Sequence, residues 1–184
     1  MNIDLFVKGI SGVIPGGIST KDFAVITQKD KDTAKKILDT LIQNGIGKTN
    51  GDLVNFEDSD KLRAALFAIK SGAPIEKVSQ CINWKDFEGL VAEILVSKHF
   101  EVLRNFRMKK PTMEIDVVGK RLDVTMLIDC KHWKRMSYSN LKIIVDKQIK
   151  RAEQYIQNKK NMTVVPIIVT LYKEETSFVN GTPI

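Results

Sequence analysis

An α/β fold in two parts is predicted for this chain of 184 residues by three observations. Residues 1–57 read as three short amphipathic helices closed by an Asn-Gly hairpin. Residues 84–172 read as helix, three strands, helix, strand, an order that interleaves helices with a sheet. Within the second part, Val164-Val165-Pro166-Ile167-Ile168-Val169 is continuously apolar, as a strand at a buried sheet centre is.

The first helix covers residues 2–12, with Asn2 as cap and Ile3, Phe6, Val7 and Ile10 along one stripe. Pro15-Gly16-Gly17 breaks it. Ser19 or Thr20 caps the second, which carries Phe23, Ala24 and Ile26 inward. The third opens near residues 30–32, places Ala34, Ile37, Leu38, Leu41 and Ile42 at helical spacing, and closes at Asn44-Gly45. Asn50-Gly51 then turns a two-stranded ribbon between residues 46–49 and 52–56. Three helices followed by a hairpin resemble a winged helix over residues 1–57. That likeness implies a recognition helix whose Lys31, Lys35 and Lys36, with Lys48 on the wing, meet phosphates. Asp32 and Asp39 on the same helix weigh against it, and many winged helices bind protein instead.

Ser59 caps a further helix with Leu62, Ala65, Leu66 and Ile69, and Pro74 suits the start of a short one. The expected organisation is therefore a winged-helix-like domain with a trailing helix at 1–72, a connector at 73–83 and a second domain at 84–184.

Asn83 caps the helix that opens the second part and runs to about residue 99. Its stripe is Trp84, Phe87, Leu90, Val91, Ile94 and Leu95. Glu88 falls within that stripe, whereas Glu93 aligns with Asp86, Gly89 and Ser97 on the wet face. An inward carboxylate is costly unless paired or bound to metal, so Glu88 is the candidate functional group. Strands follow at 101–106 and 113–118, separated by a basic loop at 107–111. Gly119-Lys120-Arg121 is read as the turn into a strand at 122–133. In that strand Asp129 and Lys131 share one face, and Ile128 and Cys130 the other. Adding Asp116 from the neighbouring strand gives a divalent-metal site with a built-in cation, which suits phosphodiester hydrolysis. Taken alone, Asp-x-Lys is common in strands, and an exposed ion pair is the plain alternative. A helix at 140–158 turns Leu141, Ile144, Val145, Ile149, Ala152 and Ile156 inward, with Gln148 at the edge of the stripe. The strand at 163–170 contains Pro166, which argues that part of it lies at an edge or irregularity. Residues 181–184 begin a further strand.

Composition excludes several classes. No apolar run approaches the ~20 residues a membrane span needs, and the N-terminus lacks the basic-then-apolar pattern of a secretion signal. Cys81 and Cys130 form neither a disulfide framework nor a zinc spacing, which points to a reducing cytoplasm. With 2 histidines, a histidine metal site or a Ser-His-Asp triad is hard to build. The net charge of +7 is uneven: residues 1–80 hold 11 Lys/Arg against 10 Asp/Glu, and residues 81–184 hold 18 against 12. A basic surface attracts polyanions, nucleic acid first.

Phe87-Glu88-Gly89-Leu90-Val91-Ala92-Glu93-Ile94-Leu95, His99-Phe100-Glu101-Val102, Glu114-Ile115-Asp116-Val117-Val118 and Ile128-Asp129-Cys130-Lys131, in this order, resemble the restriction-endonuclease-like (PD-(D/E)XK) superfamily. Within it the Mrr-type nucleases look nearest, and archaeal Holliday-junction resolvases are a related branch. The resemblance covers about residues 84–172 and implies an α/β/α core with a mixed central sheet. It maps the family's helix glutamate to Glu88, its hairpin aspartate to Asp116, and its strand acid and lysine to Asp129 and Lys131. Two departures stand out. The acid before the lysine is Asp where Glu or Gln is common, and no proline precedes the first acid, Pro111 lying five residues earlier.

What the resemblance implies chemically is one Mg²⁺ or Mn²⁺ held by Asp116, Asp129 and the backbone carbonyl of Cys130, with several waters. Glu88 would reach a ligand water or a second ion. Lys131 would orient the attacking water and stabilise charge building on the phosphate. Glu114 is a spare ligand or, more plainly, half of a rim ion pair, and His132 points away as a structural residue. Gln148 contacts DNA or the metal shell, and Lys109, Lys110, Lys134 and Arg135 flank the active face to grip phosphates. The expected protein is a metal-dependent DNA endonuclease whose winged helix helps to hold the substrate. The rivals are a non-catalytic DNA-binding or regulatory protein on a degenerate nuclease scaffold, and a resolvase-like homodimer acting on branched DNA.

Overall fold

The computed structural model describes residues 3–109, 111–133, 137–157, 162–171 and 177–184. Lys110, Lys134 and Arg135 lie outside the described residues. The fold is α/β, in two compact units, Met1–Asp86 and Phe87–Ile184. Among the described residues no helix is long and apolar enough to cross a membrane.

The first unit runs α1 (Ile3–Gly9), a turn of 3-10 helix (Ile10–Gly12), β1 (Gly16–Ser19), α2 (Thr20–Thr27), α3 (Lys31–Gln43), β2 (Lys48–Asn50), β3 (Leu53–Phe56), α4 (Asp60–Lys70) and α5 (Ile75–Ser79). Short polar side chains cap α2 and α3 as expected, whereas Ser59 precedes α4 without a side-chain cap bond and Asn2 lies outside the described residues. Ser19 accepts the Asp22 amide at 3.1 Å, and Asp30 accepts that of Thr33 at 2.8 Å. The stripe of α3 buries Ala34, Ile37, Leu38 and Leu41, and the helix packs on α1 and α2. The hairpin turns at Gly51, whose φ of +59° glycine adopts without strain. One strand was not foreseen. Pro15-Gly16-Gly17 reads as a break, yet Gly16–Ser19 is β1, extended because it pairs with β3 from Gly16↔Phe56 to Ser19↔Leu53. The sheet order is therefore β1-β3-β2. Asp60, buried at the start of α4, binds this end together: it accepts the amides of Gly47 and Glu57 and pairs with Arg63 at 2.8 Å.

The second unit carries nearly all of α6 (Trp84–Ser97), then β4 (Glu101–Met108), β5 (Met113–Arg121), β6 (Val124–Lys131), α7 (Tyr138–Ile156), β7 (Thr163–Thr170) and a small hairpin, β8 (Phe178–Val179) with β9 (Thr182–Pro183). Its sheet has the order β4-β5-β6-β7. The first three strands are antiparallel, and β7 joins β6 in parallel after the α7 crossover, so the sheet is mixed. Pro166, with no N–H to donate, sits in the edge strand β7.

The β5–β6 turn lies two residues later than expected. Gly119-Lys120-Arg121 continues β5, and the chain reverses at Leu122-Asp123, where Leu122 is 95% exposed with a φ of +54°. Gly119 serves packing instead. A Cβ there would stand 2.8 Å from Leu95 Cδ1, so its hydrogen lets α6 lie close on the sheet. The adjacent Val118 packs with Leu127, Ala152 and Tyr155, on the α7 side. Consecutive strand residues point to opposite faces, so α6 and α7 cover opposite sides of the sheet.

Candidate active site

The site forms where the β5–β6 ladder stops. Pairing runs from Arg121↔Val124 to Val117↔Ile128, and Asp116 and Asp129 are the residues just past its last pair. The Asp129 charge raises the Asp116 pKa, so the two carboxylates feel each other at the opening. Instead of a carbonyl, the Asp116 side chain takes up the local backbone donor, accepting the Cys130 amide on Oδ2 at 2.7 Å.

Asp129 is 2% exposed and would be untenable alone. Two cations hold it. Arg151 Nη1 donates to Oδ1 at 2.8 Å, and Lys131 Nζ lies 2.6 Å from Oδ2. The second contact is an ion pair without hydrogen-bond alignment, and Oδ2 accepts no hydrogen bond. Arg151 is the residue that sequence reasoning missed. A signal existed: α7 repeats Leu141, Val145, Gln148, Ala152 and Tyr155 inward, and a cation three residues after Gln148 borders that stripe.

Gln148 is a correction. Expected at the stripe's edge in contact with DNA or the metal shell, it is 0% exposed and cannot reach a phosphate. Its Nε2 donates to the Leu127 carbonyl at 2.7 Å, and its Oε1 accepts from Arg151 at 3.0 Å. Glutamine at the centre of an apolar stripe is tolerable because both ends of its amide are used.

Glu88 enters from the α6 side and is 6% exposed, whereas Glu93 is exposed. Trp84, placed in the same stripe by spacing, is exposed instead. Burial, with the Asp116 charge next, pushes the Glu88 pKa up to about 7; Arg104 and Lys131 oppose the rise. Asp116 is also raised, first by burial and then by the Asp129 charge, against the lowering effect of the Cys130 amide. The Cys130 thiol, on the strand face opposite Lys131, is pushed far up by burial and by the Asp116, Glu88 and Asp129 carboxylates. Glu88 thus feels the charges of Asp116 and Lys131, and Asp116 those of Asp129 and Lys131, groups that come from three elements.

The remaining candidates are peripheral. Glu114 pairs with Arg107 at 2.9 Å on the rim. His132 packs edge-on to Phe87, with ring centroids 5.8 Å apart, and its buried Nε2 has no hydrogen-bond partner. Lys109 is exposed in the β4–β5 turn. In the first unit Lys31, Lys35 and Lys36 are exposed along α3, and Lys48 is exposed on the hairpin, 3.4 Å from Glu57.

Among the described residues no three His, Cys, Asp or Glu side chains gather as a metal cage. The donor set at the opening is smaller: two electrostatically coupled carboxylates, Asp116 and Asp129, the second with a buried oxygen that accepts no hydrogen bond. Such a set fits Mg²⁺ or Mn²⁺, hard ions that one or two carboxylates and several waters suffice to bind.

No protein-family model matches the chain, and no curated protein matches it. Among solved structures it is similar to protein VC1899 from Vibrio cholerae, at 14% identity and a TM-score of 0.43. That match covers 94% of this chain and 44% of the other, so this chain spans less than half the length of its neighbour.

Proposed function

We propose that the chain is a metal-dependent DNA endonuclease of the restriction-endonuclease-like superfamily, Mrr-type. The observation that carries this reading is the coupling of Asp116 with Asp129 and of Glu88 with Asp116 just past the end of the β5–β6 ladder, with Lys131 paired to Asp129 at 2.6 Å. Asp116 and Asp129 would hold Mg²⁺ or Mn²⁺, which lowers the pKa of bound water and acts as a Lewis acid on the phosphate. Lys131, one residue past the Cys130 amide that fixes Asp116, presents its ammonium to the charge developing on the scissile phosphate. Glu88, which burial and the Asp116 charge hold above the usual carboxylate range in the metal-free protein, would reach a water on the ion. DNA is the proposed partner, with α3 and the β2–β3 hairpin of the first unit offering exposed lysines to its backbone. The free thiols Cys81 and Cys130 suit a cytoplasmic setting.

Incubation of duplex, branched and single-stranded DNA with Mg²⁺ or Mn²⁺ tests the reading. Cleavage is expected to fall by at least about 100-fold in Asp129→Ala and Lys131→Ala, and to stop in chelator. Cleavage that persists in both variants assigns the activity elsewhere. DNA binding without cleavage, lost on changing Lys35 and Lys36 alone, favours the non-catalytic binder.

A further inference from the structure

Asp116 stands in the register of neither neighbouring strand. The β5–β6 pairs end at Val117↔Ile128. The β4–β5 pairs run Leu103↔Val118 and Arg104↔Val117, then Phe106↔Ile115 and Arg107↔Glu114. The pair that would fall between them, Asn105 with Asp116, is the one left out. No residue is inserted or lost there, since the strands resume at once in the same register. A bulge, which sets two residues against one, is therefore not the explanation.

The explanation lies on β4, where Asn105 has a φ of +52°. Among the described residues, the other non-glycine residues with positive φ are Gln28 and His99, just past helices, and Leu122 and Asn180, in hairpin turns. Those are places where the chain stops or reverses, and such a backbone is ordinary there. β4 does neither at Asn105. A left-handed residue inside a strand turns its peptide groups out of the ladder and breaks the alternation of faces.

The packing records that break on both strands. Ile115 and Val118, three residues apart, belong to one buried cluster, whereas an unbroken strand sends such residues to opposite faces. On β4, Arg104 acts on Glu88 of α6, while Phe106 meets Tyr155 of α7 with ring centroids 5.7 Å apart. Two residues apart, they would share a face in a regular strand. Asp116, left out of both registers, turns toward β6 and accepts the Cys130 amide at 2.7 Å.

We propose that Asn105 is a positioning residue for Asp116: its left-handed backbone unlocks β5 at that one position and lets the carboxylate reach the Cys130 amide. The consequence for cleavage rests on the reading of Asp116 as a metal ligand; the consequence for the Asp116–Cys130 bond does not. Asparagine suits the place, because it enters this conformation more readily than most residues, whereas a β-branched side chain resists it strongly.

Hydrogen exchange of the Cys130 amide in metal-free protein reads the bond directly. In Asn105→Val it is expected to quicken at least about tenfold relative to the Leu127 amide of the same strand. Asn105→Gly, which takes a positive φ freely, is expected to stay within about threefold of the wild type. With Mn²⁺ and duplex DNA, the valine variant should lose at least about tenfold in kcat with KM little changed, and the glycine variant should keep both. Asn105→Ala replaces the valine variant should that one fail to fold. A Cys130 amide as protected in the valine or alanine variant as in the wild type overturns the proposal. So does equal loss of protection in the glycine variant, which would assign the role to the asparagine side chain. If exchange follows the expectation but the valine variant cleaves as the wild type does, or no form cleaves, the positioning stands and the reading of Asp116 as a metal ligand falls.

Discussion

Glu88 combines burial with a like-charged neighbour, and its pKa of about 7 has a consequence for stability in metal-free protein. The folded value lies above the unfolded one of 4.5, so the folded state holds the proton more tightly. Below about pH 4.5 both states are protonated and Glu88 carries no penalty. The penalty grows as pH rises from there and is complete above about 7. Glu88→Gln is therefore expected to stabilise the metal-free protein at pH 8 by up to about 3 kcal/mol, and to change little at pH 4. Thermal unfolding of both proteins in chelator at the two pH values measures this; a gain of equal size at both would show that packing, not charge, is responsible. The inward position of Glu88 is legible from spacing alone. Gln148 and Arg151 are less so, because hydropathy patterns omit polar residues from a stripe even when their hydrogen bonds can be met inside it. Only the coordinates show that the Leu127 carbonyl and the Asp129 carboxylate meet them.

Among elements, α6 meets β5 where the tip of the Leu95 side chain lies against Gly119. A valine there must displace Leu95 and crowd Phe100, whose nearest atom would lie 3.4 Å from a new Cβ. Gly119→Val is expected to destabilise the second unit by about 1–3 kcal/mol and, by shifting α6, to weaken cleavage with it. Urea unfolding measures the first effect and DNA cleavage the second; a variant as stable as the wild type would show that α6 has room to move. Sequence reasoning gives Gly119 to a turn, because glycine beside Lys120 and Arg121 has turn composition. Local composition carries no record of a helix packing from elsewhere. The same limit hides β1, whose two glycines oppose a strand and whose extension comes from pairing with β3 some 36 residues later in the chain. Helices α3, α6 and α7, by contrast, are legible because their periodicity and caps are local. The strand β7 is legible too, as an uninterrupted apolar run. That run reads as a sheet centre, but β7 is a half-buried edge strand, the end of the sheet order being set by the α7 crossover.

For the whole molecule, the proposed DNA affinity is tested through charge. The net charge of +7 predicts binding that weakens steeply with salt. If Lys35 and Lys36 each neutralise one phosphate, their double replacement by alanine lowers the slope of log affinity against log salt by about 2 units. Filter binding or fluorescence anisotropy across a salt series checks this, and an unchanged slope would remove α3 from the DNA-binding surface. The three carboxylates proposed for cleavage, Glu88, Asp116 and Asp129, should leave that slope nearly untouched while abolishing turnover on replacement by their amides. The overall α/β plan is legible from element order, whereas the opening between β5 and β6 follows from where strand pairing ends, which no residue spacing records.

The reversal at Leu122-Asp123 lies at the far end of β6 from Lys131, about 25 Å away for a strand of this length. Its leucine touches water almost entirely and holds a backbone angle that glycine or asparagine would adopt more easily. That tip is consequently the natural place to graft a fluorophore or a purification peptide, since a change there strains nothing buried and leaves the distant carboxylates undisturbed.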